Sequence, residues 1–215
     1  MNVFAIDLSM KPGWAYFKDG KLITFGTIFS DARLADYEGS YPFNFTNASA
    51  KIASSVIDLL CERFPDVKDR KEVKIVIEET TGSSNNYSQK ILEFLHCNLI
   101  GFLESECFTD ISYIRTGVWR KIVGATQTKE ERNYNSKVAR TKKKTGKKIA
   151  MIDGKRTRPF NRKDYALRVF KEEFGIELDM KMNDACDAAL VGLAYLRGGP
   201  ICDGTTTGGT LSGAK

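Results

Sequence analysis

Short apolar runs alternate with longer amphipathic ones along this chain, and turn-forming residues mark most of the changeovers. The run "NVFAID" (2–7) is compact and apolar with β-branched members, which predicts a buried strand ending at Asp7. In "GWAYFKDGKLITFGTIF" (13–29) two strand-like runs meet at Asp19-Gly20, a dipeptide suited to a two-residue hairpin turn. After an aromatic-dotted loop (30–46), "NASAKIASSVIDLLCERF" (47–64) takes up helical spacing, with Asn47 as N-cap and Pro65 just past the end. "EVKIVIEE" (72–79) predicts a fourth strand, and residues 87–105 predict a long helix with apolar positions at 91, 92, 95, 99, 102 and 103. A fifth strand, "DISYIRT" (110–116), precedes a short helix, "GVWRKIVGA" (117–125). Beyond a basic stretch, "RKDYALRVFKEEFG" (162–175) predicts a helix stopped by Gly175. The last helix, "NDACDAALVGLAYLRGG" (183–199), is expected to be capped by Asn183 and ended by Gly198-Gly199.

A hairpin-linked trio followed by helix–strand units predicts an α/β fold. The sheet is five-stranded and mixed, three antiparallel strands then parallel βαβ units, with helices on both faces. The 215 residues suit one domain, taken as 1–197 with an insertion at about 126–162. Residues 198–215 are too polar and glycine-rich to pack and are expected to be a disordered tail. The net charge of +6 conceals an uneven distribution: residues 126–163 hold 14 Lys/Arg against 3 Asp/Glu, so the remainder is −5. Such a local surplus points to a polyanion as partner. Within it "KKIAMI" and "KRTRPF" flank Asp153-Gly154, predicting a basic hairpin arm on a flexible lysine-rich stem, with a solvated loop as the alternative. Five scattered cysteines without CxxC spacing argue against a zinc site or a disulfide framework and point to an intracellular, reducing compartment. No run approaches the roughly 20 apolar residues a bilayer requires, so no membrane partner is expected.

The chemistry is suggested by acids at structurally costly places. Asp7 closes the first strand and Glu78 nearly closes the fourth, where a carboxylate needs a partner or a cation. Asp184 and Asp187, three apart, share one face of the last helix. If strands one and four are neighbours and that helix crosses their ends, four carboxylates meet, and divalent cations with oxygen ligands are their natural occupants. Alone, a DxxD is as well read as a solvated helix N-terminus favoured by the dipole. The order of the signals along the chain is what favours the metal.

In these motifs the chain resembles the RuvC-type Holliday-junction resolvases of the RNase H-like superfamily, in the manner of a divergent viral, phage or organellar member. The resemblance runs through "FAIDLSMKPGWAYF", "IVIEETTGSSNNYSQKILEFLHCNLIGFL", "ISYIRTGVWRKIVG" and "NDACDAALVGLA". It implies an RNase H-like fold and the activity of a crossover junction endodeoxyribonuclease on four-way or other branched DNA. The family's metal-binding acids fall on Asp7, Glu78, Asp184 and Asp187, with Glu79 on the opposite side of its strand. Two Mg2+ per active site are implied, about 4 Å apart, one activating water and one stabilising the leaving 3′ oxygen; Mn2+ is expected to substitute. No nucleotide cofactor is implied. Lys163 matches a basic residue that some relatives place near the scissile phosphate, and reads equally well as a surface lysine contacting phosphate. His96, the sole histidine, sits mid-helix and is read as packing.

DNA contacts are expected from Ser83, Ser84, Asn85, Asn86 and Tyr87, whose hydroxyls and amides suit phosphate and sugar where a helix begins. Relatives carry an aromatic wedge three residues after the strand-four acid; here that position is Thr81, leaving Tyr87 as a substitute. Trp119, Arg120 and Lys121 resemble the family's basic DNA-facing helix, with Trp119 either stacking on DNA or packing in the core. The arm adds Lys142, Lys143, Lys144, Lys147, Lys148, Lys155, Arg156 and Arg158. The family acts as homodimers, and the stripe Ile91, Leu95, Leu99 and Phe102 either forms that interface or covers its own sheet. Three rivals stay open: an RNase H-like nuclease for other branched DNA or RNA/DNA hybrids, an actin-like ATPase for which 215 residues leave little room, and a catalytically silent junction-binding protein.

Overall fold

The computed structural model describes residues 1–29, 40–79, 86–146, 150–152, 155–199 and 201–203. Strand β1 (Asn2–Asp7) is apolar on both faces and is accordingly central, antiparallel to β2 (Gly13–Lys18) and parallel to β4 (Val73–Glu79). Strand β3 (Lys21–Thr27) pairs with β2 through the Asp19-Gly20 turn, where φ is positive at both residues, 50° and 78°. Strand β5 (Ile111–Arg115) lies parallel on the far side of β4. These are the five predicted strands in mixed arrangement.

Alternation along each strand divides the core in two. Phe4, Ile6, Ile75 and Ile77 face α1 (Phe43–Arg63) and α3 (Asn86–Ser105), joining Ile52, Val56, Leu60, Leu95, Leu99 and Leu103. Val3, Ala5, Ala15, Phe17 and Val76 face the opposite layer, which holds α4 (Thr116–Ile122), α6 (Arg162–Phe174) and α7 (Asn183–Leu196). The α3 stripe therefore covers its own subunit: Leu95 and Leu99 are fully buried against α1 and the sheet, and Ile91 is 4% exposed. It is not a free dimer face.

Several local expectations are corrected. Helix α1 begins at Phe43, four residues before Asn47, because Phe45 is drawn into a small cluster with Ala48 and Ile91. A short α2 (Val67–Glu72) precedes β4. The stem of the basic arm is a helix, α5 (Lys129–Thr145), started by a capping box between Thr128 and Glu131 and ended by Gly146 at φ 65°. The arm itself pairs as expected, β6 (Ala150–Ile152) against β7 (Lys155–Thr157). Asn183 is the first residue of α7 rather than its cap; a 3-10 turn, Met180–Met182, leads into it and is itself capped by Asp179. Part of the expected tail packs as well: β8 (Cys202–Asp203) adds a two-residue sixth strand beside β5. Residues 204–215 lie outside the described residues. No described helix is long and apolar enough to cross a membrane.

Helix α7 comes closest to the sheet, over β1 and β2, where small side chains face it: Ala5 and Ala15 from the strands, Ala185, Ala188, Ala189 and Gly192 from the helix. A Cβ on Gly13 would lie 1.9 Å from the carbonyl oxygen of Asp184, and one on Gly192 would lie 2.5 Å from Phe17 Cε2. Neither glycine can carry a side chain without displacing the helix. We therefore expect Gly13→Ala to cost at least the ~1–3 kcal/mol of overpacking in urea denaturation, since backbone rather than a side-chain tip must move. A loss below about 0.5 kcal/mol would refute the tight approach.

Candidate active site

Asp7 and Glu78 stand at the ends of adjacent parallel strands, in a register where Ile6 faces Ile77. Both continue the alternation that points Ala5 and Val76 towards α7, and Glu79 points the other way, where Arg115 meets it at 3.2 Å. Asp7 also pairs across β1 and β2 with Gly13, the residue that admits the start of α7. The first turn of α7 thereby brings Asp184 and Asp187 over the strand ends. Each of three acids holds a protein partner: Thr116 Oγ1 donates to Glu78 Oε1, Asn183 Nδ2 to Asp184 Oδ1 at 2.6 Å, and Arg120 to Asp187 Oδ2 at 2.9 Å. Asp187 Oδ1 is buried without a hydrogen-bond partner.

The electrostatics follow from that crowding. Burial first, then the charges of Glu78, Asp187 and Asp184, hold the Asp7 carboxyl well above the usual range, with Arg120 pulling weakly the other way. Asp187 is pushed up to about 7; burial outweighs the opposing Arg120 guanidinium, and Glu78 and Asp184 add to the rise. The salt bridge to Arg120 is thus too little compensation for a carboxylate only 8% exposed. Among the described residues, no three acids, histidines or cysteines are drawn into a ready-made coordination set. Their chemistry nonetheless fits a hard divalent cation, because the cluster supplies only oxygen ligands, its charge is under-neutralised, and Asp187 Oδ1 is left unpaired.

Solved structures share this architecture. Thermus thermophilus RuvC in complex with a Holliday junction substrate matches with a TM-score of 0.54 at 11% identity, over 94% of this chain and 99% of that one. A second T. thermophilus RuvC structure gives 0.51 at 10% identity, over 92% and 94%. The chain shares the fold of RuvC. The yeast mitochondrial Holliday junction resolvase Ydc2 is matched at 14% identity over 91% of this chain and 77% of that one, with a TM-score of 0.45. No family model and no curated protein matches the chain.

Within the RuvC-type fold the other predicted site residues separate. Lys163, at the start of α6, lines the same cleft as Asp184. Trp119 is fully buried in the α7-side core and cannot stack on DNA, because the short helix α4 packs that face against α7. Arg120 is also turned inward: it covers the Trp119 ring at 4.2 Å, bonds the Arg162 carbonyl at 3.1 Å and holds Asp187, so it is no free phosphate contact. Arg158 is engaged too, in a two-pronged pair with Asp164 at 2.6 Å. Lys121, Lys143 and Lys144 are exposed, Lys142 half-buried, and Asn86 and Tyr87 are open to solvent, the Tyr87 ring edge-on to Phe45. Lys155 and Arg156 lie on β7. Thr81, Ser83, Ser84, Asn85, Lys147 and Lys148 fall outside the described residues. His96 bonds Tyr113 at 3.1 Å, and burial lowers its pKa to about 4, in keeping with a packing role. Thr116, Asn183 and the inward use of Arg120 escaped sequence reasoning, since each partner pair joins different elements or depends on a side-chain rotamer.

A carboxyl whose folded pKa exceeds its unfolded value is protonated in both states at low pH, and the unfolded chain ionises first as pH rises. Stability of the metal-free protein should therefore fall from about pH 4 to about pH 7 through Asp187. Urea midpoints across that window should drop more steeply for the wild type than for Asp187→Asn, and a divalent cation should restore the wild type near pH 7. Parallel curves for the two proteins would contradict the strained cluster.

Proposed function

We propose that this protein is a metal-dependent, structure-selective DNA endonuclease that resolves four-way junctions by paired symmetric nicks. The observation that carries the proposal is the meeting of Asp7, Glu78, Asp184 and Asp187 beneath the start of α7 in a RuvC-type fold. These four residues would hold two divalent cations, Mg2+ with Mn2+ able to substitute, which supply water activation and neutralise charge at the leaving 3′ oxygen. The protein's own part is to seat the scissile phosphate. Lys163 lies at the cleft beside Asp184 and offers a cation to that phosphate.

DNA as the substrate accords with the basic segment 126–163, whose surplus of +11 is carried in part by α5 and by Lys155 and Arg156 of β7. The described residues hold one acid cluster, and two symmetry-related nicks require two, so the active form is a homodimer related by a two-fold axis. The α3 stripe is consumed internally, which moves the pairing surface elsewhere. Free thiols at Cys61, Cys97, Cys107 and Cys186 suit an intracellular, reducing compartment.

The test is cleavage of an immobile four-way junction beside matched duplex, flap and RNA/DNA hybrid, with Mg2+, with EDTA, and with Asp7→Asn, Glu78→Gln and Asp187→Asn. Paired nicks on opposed strands of the junction are expected, falling by more than about 100-fold in each variant while junction binding persists. Metal-dependent cutting of flap or hybrid in place of the junction would move the protein to another nuclease branch. Binding without any cutting would make it a silent junction binder. Sedimentation should give twice the chain mass; a monomer making paired nicks would overturn the dimer.

A further inference from the structure

A cleft of about 590 Å³ opens beside the acid cluster, between the loop after β1, the end of β3, the start of α6 and the turn leading into α7. Its wall carries Lys11, Lys163 and Lys181, none of them ion-paired among the described residues. Phe29 stands at its edge with 79% of its surface exposed, beside the partly exposed Met180. Asp179 also lines the cleft, its Oδ1 accepting from the backbone N–H of Lys181 at 2.8 Å and its charge offsetting one of the three lysines, and Asp184 belongs to the acid cluster. Two polar atoms of lining residues have no partner: Oδ1 of Asn183, a residue only 5% exposed, and Oγ1 of Thr27.

This combination excludes simple ligands. A free phosphate would satisfy the lysines but leave Phe29 and Met180 in water and Asn183 Oδ1 without a donor. A purely apolar ligand would strand the ammonium groups. A nucleotide offers anionic oxygens for the lysines, a π face for the phenyl ring and, on base or sugar, donors for Asn183. The volume lies within the usual range for small-ligand cavities, ~300–1,000 Å³.

We infer that this cleft binds the nucleotide next to the scissile phosphate, with Lys11 and Lys181 on its backbone and Phe29 stacked on its base. The inference rests on the nuclease reading of the acid cluster. Lys11 and Lys181 act as binding residues, and Phe29 as the contact that favours an unpaired base over a stacked one. The site thus prefers distorted branch-point strands to intact duplex, without any aromatic residue at position 81.

Binding of the full-length protein to a four-way junction, with Ca2+ replacing Mg2+, should be measured at several salt concentrations for Lys11→Ala/Lys181→Ala, Phe29→Ala and Phe29→Trp. The control is Lys18→Ala/Lys21→Ala, which removes equal charge at the opposite end of the sheet. The cleft double variant should flatten the slope of log K against log salt by about two, the control leaving it unchanged. Phe29→Ala should weaken junction binding about tenfold at unchanged slope and lose less on duplex, with Phe29→Trp restoring it. Cleft and control variants behaving alike, or Phe29→Ala binding as the wild type does, would overturn the cleft assignment while leaving the nuclease standing. A wild-type protein that binds no DNA at all would sink both.

Discussion

The contact of α7 with β1 and β2 is closer than any side chain at position 13 would permit, and both the core and the acid cluster depend on it. Gly13 and Gly192 remove the two Cβ atoms that would hold the helix away, and Ala5, Ala15, Ala185, Ala188 and Ala189 keep the rest of the interface shallow. A helix resting that near a sheet brings its first turn level with the strand ends. Asp184 and Asp187 then arrive beside Asp7 and Glu78 as a consequence of packing. The apolar character of α7 on nearly all sides follows as well, because the sheet lies beneath it while α4 and α6 flank it.

That packing imposes an electrostatic cost. Four carboxylates share a partly buried space, and among the described residues the charge that opposes Asp7 and Asp187 is the Arg120 guanidinium, held over Trp119. Arg120, Thr116 and Asn183 each occupy one acid, yet burial still pushes the Asp187 carboxyl up to about 7 and its Oδ1 remains unpaired. A core built for stability would not keep such a group. Its under-neutralised charge suits an oxygen-ligated cation, and among the described residues Lys11, Lys163 and Lys181 around the neighbouring cleft have no ion pair.

The described residues of the basic segment take regular structure, a helix and a pair of strands. Its lysine run forms the last turn of a capped helix, where positive charge meets the negative end of the helix dipole. Val138 is buried, and the Arg168–Glu131 pair at 3.1 Å ties the start of α5 to α6. The stem can therefore aim the paired β6–β7 arm instead of trailing it.

Patterning alone determined the five strands, their hairpin start, the two-sided core and the identity of the acids on the shared face, because alternation and helical periodicity are local properties and Glu78 differs from Glu79 by one step of a period of two. Local chemistry was also enough for the stop at Gly175 and the pairing of Ala150–Ile152 with Lys155–Thr157. What only tertiary structure decided concerns choices between equally patterned alternatives. Trp119 and the α3 stripe could have faced a partner or the core, and packing area placed them in the core. Arg120 and Arg158 could have met phosphate or carboxylate, and the nearest acids, on other elements or beyond a turn, claimed them. The helix within the lysine-rich stem and the sixth strand at Cys202–Asp203 depended on neighbours distant in sequence. Periodicity states which side of an element is apolar; it carries no information about which surface, charge or cleft that side will meet.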